Sequence, residues 1–176
     1  PCDSGGAVDG DLTEFVGYSE QLTSLDVKGL TALTDLVCQN NQLIRLDLGE
    51  HPALTLFTCH DNHLPSIDLS GTPLLGTLSC DDNLFTSIDF HGLPLNNLSA
   101  NNNKLTSVTG LENAEDASGY GMEFKNNNLD AAALDSIYGQ LRDPGGGDSI
   151  VVTGNPGTSG DTPSIATDKG WVVVGS

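Results

Sequence analysis

Basic residues are scarce in this chain: six Lys and Arg stand against 24 Asp and Glu over 176 residues, a net charge of -18. Such an excess repels phosphate backbones and anionic bilayers within about a Debye length, so nucleic acid is not an expected partner. Its plainest meaning is solubility in a salty or extracellular medium, with a cation-dependent role as the alternative. Aromatics make up only 5%, which leaves few of the rings that anchor tight protein contacts or stack on sugars. No run of 18 apolar residues occurs, so no transmembrane segment is expected and the chain is expected to be soluble. The four Cys form no C-x-x-C pair, so zinc is not expected. No Met and no charged-then-apolar leader stands at Pro1-Cys2-Asp3, from which we expect any signal peptide either to have been removed or never to have been part of this stretch of sequence. Cys2 is open to three readings: a lipid-modified Cys of an exported lipoprotein, a disulfide partner, or an accident of cloning.

A sustained helical period is also missing from most of the chain, and a repeat stands in its place. Leu33 to Leu43 (LTDLVCQNNQL), Leu54 to Leu64 (LTLFTCHDNHL), Leu75 to Phe85 (LGTLSCDDNLF) and Leu95 to Leu105 (LNNLSANNNKL) all follow L-x-x-L-x-C-x-x-N-x-L. Ala100 replaces Cys once, and Phe57 and Phe85 stand in for Leu. Between these blocks Leu25-Asp26-Val27, Leu46-Asp47-Leu48, Ile67-Asp68-Leu69 and Ile88-Asp89-Phe90 fall at one phase, so the period is 21 residues, slipping to 20 once. Degenerate copies run through Leu12, Phe15, Gly17, Glu20 and Leu22 upstream and Met122, Phe124, Asn127 and Leu129 downstream, with a last echo at Ile150, Val152 and Asn155. The repeat predicts about seven rungs, with atypical ones at the ends as a stacked array needs for capping.

In a strand, alternate side chains face opposite ways, so Leu36 and Cys38 are expected to point inward and Asp35, Val37 and Gln39 outward. One rung alone cannot bury its leucines. Stacking at about 4.8 Å joins them into one core, a solenoid with a parallel β-sheet along one face and few helices. The column Asn41, Asn62, Asn83, Asn103, Asn127 and Asn155 is expected to satisfy backbone groups where the chain leaves each strand, because an amide both donates and accepts. Cys38, Cys59 and Cys80 form a companion column. In-register stacking holds their Cβ atoms too far apart for bridging, so they are expected to be small, buried, inert thiols.

These cysteines, the asparagines and the period, over Leu12 to Leu129, resemble the bacterial cysteine-ladder leucine-rich-repeat proteins of internalin-like type. Asn155-Pro156-Gly157, Ser164-Ile165-Ala166-Thr167 and Lys169-Gly170-Trp171 are similar to closing segments of repeat proteins from environmental bacteria and phage. The resemblance implies a right-handed coil and an exposed binding role at a cell surface or on a virion. One domain over 1–176 is expected, with an N-terminal rung or cap at 1–20, repeats at 21–129 and a C-terminal helix-and-strand cap at 130–176.

In that cap a helix is predicted from Asp130 to Arg142, with Asp130 as N-cap, Leu134, Ile137 and Leu141 on one face, and Arg142 at its negative end. Asp143-Pro144-Gly145-Gly146-Gly147 ends it. A short helix is predicted from Pro163 to Lys169, capped by Thr162 and ended by Gly170, and Trp171 to Val174 is predicted as a closing strand.

Binding is expected on the strand face, because it is a regular surface held by a rigid core. Its predicted exposed positions are Asp35, Val37, Gln39, Leu56, Thr58, His60, Thr77, Ser79, Asp81, Asn97, Ser99, Asn101, Gly121, Glu123 and Lys125, with Tyr18 and Tyr120 at its edges. A small polar face of this kind suits a weak or multivalent contact with a protein or cell-surface ligand. Asp26, Asp47, Asp68 and Asp89 stack as like charges and need compensation, for which turn N–H groups are favoured and calcium bridging is the alternative. Asp3, Asp9, Asp11 and Glu14 fail the phase of an EF-hand loop. His60 and Asp81 occupy equal phase on adjacent rungs with Ser79 nearby, but a shallow face offers no oxyanion site, so catalysis is not expected. His51, His63 and His91 are expected to be solvated turn residues. The function expected is a surface-displayed adhesion module, extracellular or on the cell surface, and the alternative is a decoration or structural part of a phage virion or cell envelope.

Overall fold

The computed structural model describes residues 11–116, 119, 121–144 and 147–175; Cys2, Asp3, Asp9 and Tyr120 lie outside them. In chain order the strands are β1 (Glu14–Val16), β2 (Asp35–Val37), β3 (Leu56–Thr58), β4 (Thr77–Ser79), β5 (Ser87–Asp89), β6 (Asn97–Ser99), β7 (Ser107–Thr109), β8 (Met122–Glu123), β9 (Ser149–Val151) and β10 (Val172–Val174). Eight of them make one parallel sheet in the order β1-β2-β3-β4-β6-β8-β9-β10. It is an open sheet with no closed barrel, and two α-helices accompany it, an architecture compatible with a solenoid-like repeat.

The repeat sets the register. Leu36 pairs with Phe57, Phe57 with Leu78, and Leu78 with Leu98, so equal phases of the sequence meet across the sheet even where the spacing drops to 20 residues. The middle residue of each of these strands faces the core and its neighbours face out, as period-two alternation requires. A second ladder was not expected: β5 pairs with β7, and Asp26 bridges to Asp47 at the same phase. Ile88 and Val108 point inward there while Ser87, Asp89, Ser107 and Thr109 point out, so this short stretch alternates as a strand does.

One hydrophobic cluster runs from Val27 to Trp171. Burying a Leu in it contributes about 1.5–3 kcal/mol, but only when the next repeat covers that Leu. Cys38, Cys59 and Cys80 are wholly buried and free, and burial pushes the Cys38 thiol up to about 12 and raises Cys59 and Cys80 as well. Thiolate is the reactive form. In a Cys2→Ser background the native chain is therefore expected to leave an aromatic disulfide reagent unreacted, with Cys38, Cys59 and Cys80 titrating only in urea; rapid native labelling would contradict their burial.

The asparagines stitch each repeat to the one before. The side-chain carbonyls of Asn62, Asn83 and Asn155 accept the N–H groups of Leu43, Leu64 and Leu129 at 2.9, 3.0 and 3.1 Å. Their amide groups donate to Cys38, Cys59 and Phe124 of the preceding repeat at 3.1, 3.0 and 2.8 Å. Just ahead of each ladder residue the backbone is left-handed, with φ of 56° at Asn40, 54° at Asp61, 50° at Asp82, 54° at Asn102, 53° at Asn126 and 81° at Gly154. Asn, Asp and Gly are the residues that enter this region at least cost. The doublets thus divide the work: the first residue turns the chain and the second satisfies it.

The C-terminal end is closed by α1 (Ala131–Gln140), a 3-10 turn (Pro156–Ser159) and α2 (Ser164–Thr167). Asp130 caps α1 by accepting the Ala133 N–H at 2.8 Å. Its buried face carries Leu134, Ile137 and also Tyr138, whose hydroxyl donates to Asp161 at 2.7 Å. Two expectations need correction. Lys169, not Arg142, serves the negative end of α1, donating to the carbonyls of Tyr138, Gly139 and Leu141 at 2.9, 2.7 and 2.7 Å. Arg142 pairs with Glu115 instead. Thr162 does not cap α2 with its side chain, because its hydroxyl and its N–H both bond to Asp135 on α1.

Candidate interaction surface

The outward residues of the large sheet form three rows. Glu14, Asp35, Leu56, Thr77 and Asn97 make the first, and Val16, Val37, Thr58, Ser79, Ser99 and Glu123 the second. The third follows two residues on, at Tyr18, Gln39, His60, Asp81, Asn101 and Lys125. Most of these side chains are half-buried, and Glu14, Val16, Tyr18 and Asn97 are exposed. Gly121, expected to be exposed, is buried: a Cβ there would stand 2.9 Å from the Ser149 hydroxyl and from Val151.

From β4 to β8 the polar groups of this face bond to one another. Asp81 accepts from the Ser99 hydroxyl at 2.5 Å, the Asn101 N–H at 2.6 Å and the Ser79 hydroxyl at 3.2 Å. Glu123 accepts from the Asn101 side-chain amide at 2.6 Å and from the Lys125 ammonium at 2.5 Å, and the Asn101 side-chain oxygen accepts the Lys125 backbone N–H at 2.7 Å. Toward β3, Thr58 donates to Gln39 at 2.9 Å. The suggested meeting of His60 with Asp81 does not occur, because the His60 ring lies 2.8 Å from the carboxylate of its own neighbour Asp61.

The second ladder presents the aspartate column. Asp26 accepts the Lys28 N–H, Asp68 that of Ser70 and Asp89 that of His91, at 3.1, 2.9 and 2.9 Å. The Lys28 ammonium sits 2.5 Å from Asp47 and holds that carboxyl below its ordinary range; the Ser70 N–H does the same for Asp68. Asp26, Asp47, Lys28 and Arg45, with Ser24 and Leu25, line a cleft of about 190 Å³. Asp11 and Glu14 are exposed on the first repeat. Among the described residues no group of three His, Cys, Asp or Glu side chains is placed to hold a metal ion, and no helix is long and apolar enough to cross a membrane.

His63 and His91 are exposed, but His51 is not solvated. It is wholly buried, its Nδ1 lies 3.0 Å from the Leu30 carbonyl, and its Nε2 has no partner among the described residues. The adjoining Pro52 makes this segment read as a turn, whereas His51 stands one period after Leu30 and two before Leu93, an inward phase. Asp116 also escaped notice from sequence. It is buried and accepts the hydroxyl of Ser149 at 3.0 Å, tying the segment before β8 to β9; a lone Asp between degenerate repeats carries no signal of that.

Compared with known proteins, the chain matches no family model and no curated protein.

Proposed function

We propose that this chain is a leucine-rich-repeat solenoid, a right-handed coil of about seven rungs, and that it acts as a non-catalytic binding or adhesion module at the cell surface or outside the cell. It meets a protein or cell-surface partner through the outer face of the large sheet. The observation that carries this reading is the regularity of that face: in-register rows, fixed from behind by one core, let a partner touch several repeats at once. The excess of negative charge keeps such a module dispersed and away from nucleic acid.

The test is an array of purified extracellular and envelope proteins probed with the labelled chain and two triple variants. Leu56→Lys with Thr77→Lys and Asn97→Lys alters the proposed face; Ser24→Lys with Ser66→Lys and Ser107→Lys alters the small-sheet side. Loss of signal from the first set alone is expected, and equal loss from both would sink the reading. A second reading, a structural or decoration part of a phage virion or envelope, is favoured by the polar network between Asp81 and Lys125, which is already internally satisfied and suits a rigid spacer. Capsid or tail genes beside the full reading frame would favour it, and an encoded export signal with an anchor would count against it.

A further inference from the structure

The outer face of the large sheet is not uniform. Between β4 and β8 its carboxylates are consumed, since Asp81 and Glu123 each accept at least two short hydrogen bonds from their own neighbours. A ligand arriving there would have to displace bonds already made. On β1 to β3 the same face is apolar with open carboxylates. Val16 and Tyr18 are 51% and 53% exposed, and Val37 and Leu56 lie half-buried beside them. Val16 stands opposite Val37, and Glu14, Asp35 and Leu56 follow one another in the adjoining row. The Glu14 carboxylate has no hydrogen-bond or ion-pair partner among the described residues, and that of Asp35 accepts from the Thr34 hydroxyl at 2.6 Å.

Resting on the outer-face reading above, we propose that the partner docks on β1 to β3 and that it is a protein segment presenting aliphatic side chains flanked by Lys or Arg. Charge complementarity selects this occupant. Among the described residues no basic side chain pairs with a carboxylate at this end of the face: Lys28 is held by Asp47, Arg45 lines the cleft on the other side, Lys104 follows β6, and Lys125, Arg142 and Lys169 are engaged elsewhere. A purely apolar partner would desolvate Glu14 and Asp35 without pairing them, which costs more than the buried valines return. A second copy of this chain would bring like charges together. A Lys or Arg side chain avoids both: its stem packs along Val16 and Tyr18, its head reaches the carboxylates, and the Tyr18 ring offers a face to the cation.

The probe is a short synthetic peptide alternating Lys and Leu, titrated into the full chain while backbone amide shifts are followed. A Lys–Ser peptide and a Glu–Leu peptide serve as controls. Saturable shifts are expected on β1 to β3 and around Tyr18. Binding should weaken about tenfold or more with Val16→Ser plus Tyr18→Ser, with Glu14→Gln plus Asp35→Asn, and with the Lys–Ser peptide, and should be unchanged by Asn97→Ser. Shifts confined to β4, β6 and β8 would overturn this location and leave the outer-face reading standing. Shifts on the small-sheet side would overturn both. Shifts scattered over the whole acidic surface, or no saturable binding, would overturn the proposed partner chemistry, while the array experiment decides the outer-face reading by itself.

Discussion

Asn62→Asp is expected to destabilise the chain at neutral pH by about 3–5 kcal/mol, the range for leaving several buried polar groups unpaired. The Asn62 amide donates to the carbonyls of Cys38, Cys59 and His60 at 3.1, 3.1 and 3.3 Å, and its oxygen accepts the Leu43 N–H at 2.9 Å, all at 6% exposure. A carboxylate keeps the last bond and turns a negative oxygen toward the three carbonyls. The folded protein therefore binds a proton at the introduced group more tightly than the unfolded chain does. Its pKa is raised on folding, so the penalty is full at high pH and shrinks as pH falls toward the ordinary carboxyl range, where the protonated group can donate again. Asn62→Ala should lose comparable stability with no such dependence. Urea unfolding of both variants at neutral and mildly acidic pH separates them, and amide exchange should show the lost protection centred on β2 and β3, because each repeat leans only on its neighbours. Wild-type stability of Asn62→Asp at neutral pH would mean that the ladder does not depend on its donors.

The contrast between legible and hidden features follows from what repeats. A parallel sheet and its register were readable because Leu36, Phe57, Leu78 and Leu98 recur at one phase, and stacking is the only way for such short strands to cover them. The left-handed column was equally present in the sequence, since Asn40, Asp61, Asp82, Asn102, Asn126 and Gly154 all belong to the residue types that tolerate positive φ, but a search for apolar phase passes over it. His51 was misplaced because a His-Pro pair outweighed phase, and the role of Lys169 was missed because its acceptors at the end of α1 lie about thirty residues away in the chain. The candidate surface was readable as a set of outward positions and unreadable as chemistry. Which carboxylates are spent and which are open depends on hydrogen bonds between repeats, such as Ser99 and Asn101 to Asp81, whereas His60 at the same phase turns to Asp61 of its own repeat.

Gly157→Ala should dislodge the C-terminal cap, at a cost of about 3 kcal/mol or more, the upper range for overpacking. A Cβ on Gly157 would stand 2.2 Å from the Asp130 carbonyl carbon and 2.4 Å from the Ala131 nitrogen. Both atoms are main chain at the start of α1, so no side-chain rotation relieves the contact. The 3-10 turn must move away from the helix, which breaks the 2.9 Å bond from the Gly157 N–H to the Leu129 carbonyl and loosens the ties from Tyr138 to Asp161 and from Asp135 to Thr162. Trp171, the single tryptophan, is 2% exposed beneath this cap and donates to the Arg142 carbonyl at 2.7 Å, so its emission reports the cap alone. A red shift is expected in Gly157→Ala at temperatures where the Asn62 region still holds its amide protection. Gly139→Ala is the counterpart: nothing lies within 4 Å of its Cβ position, and it stands inside α1, so it should stabilise the cap by about 0.5–1 kcal/mol. If both substitutions moved the melting temperature in the same direction, or neither moved the Trp171 emission, the close seat of the 3-10 turn on α1 would not be what holds the end of the core shut.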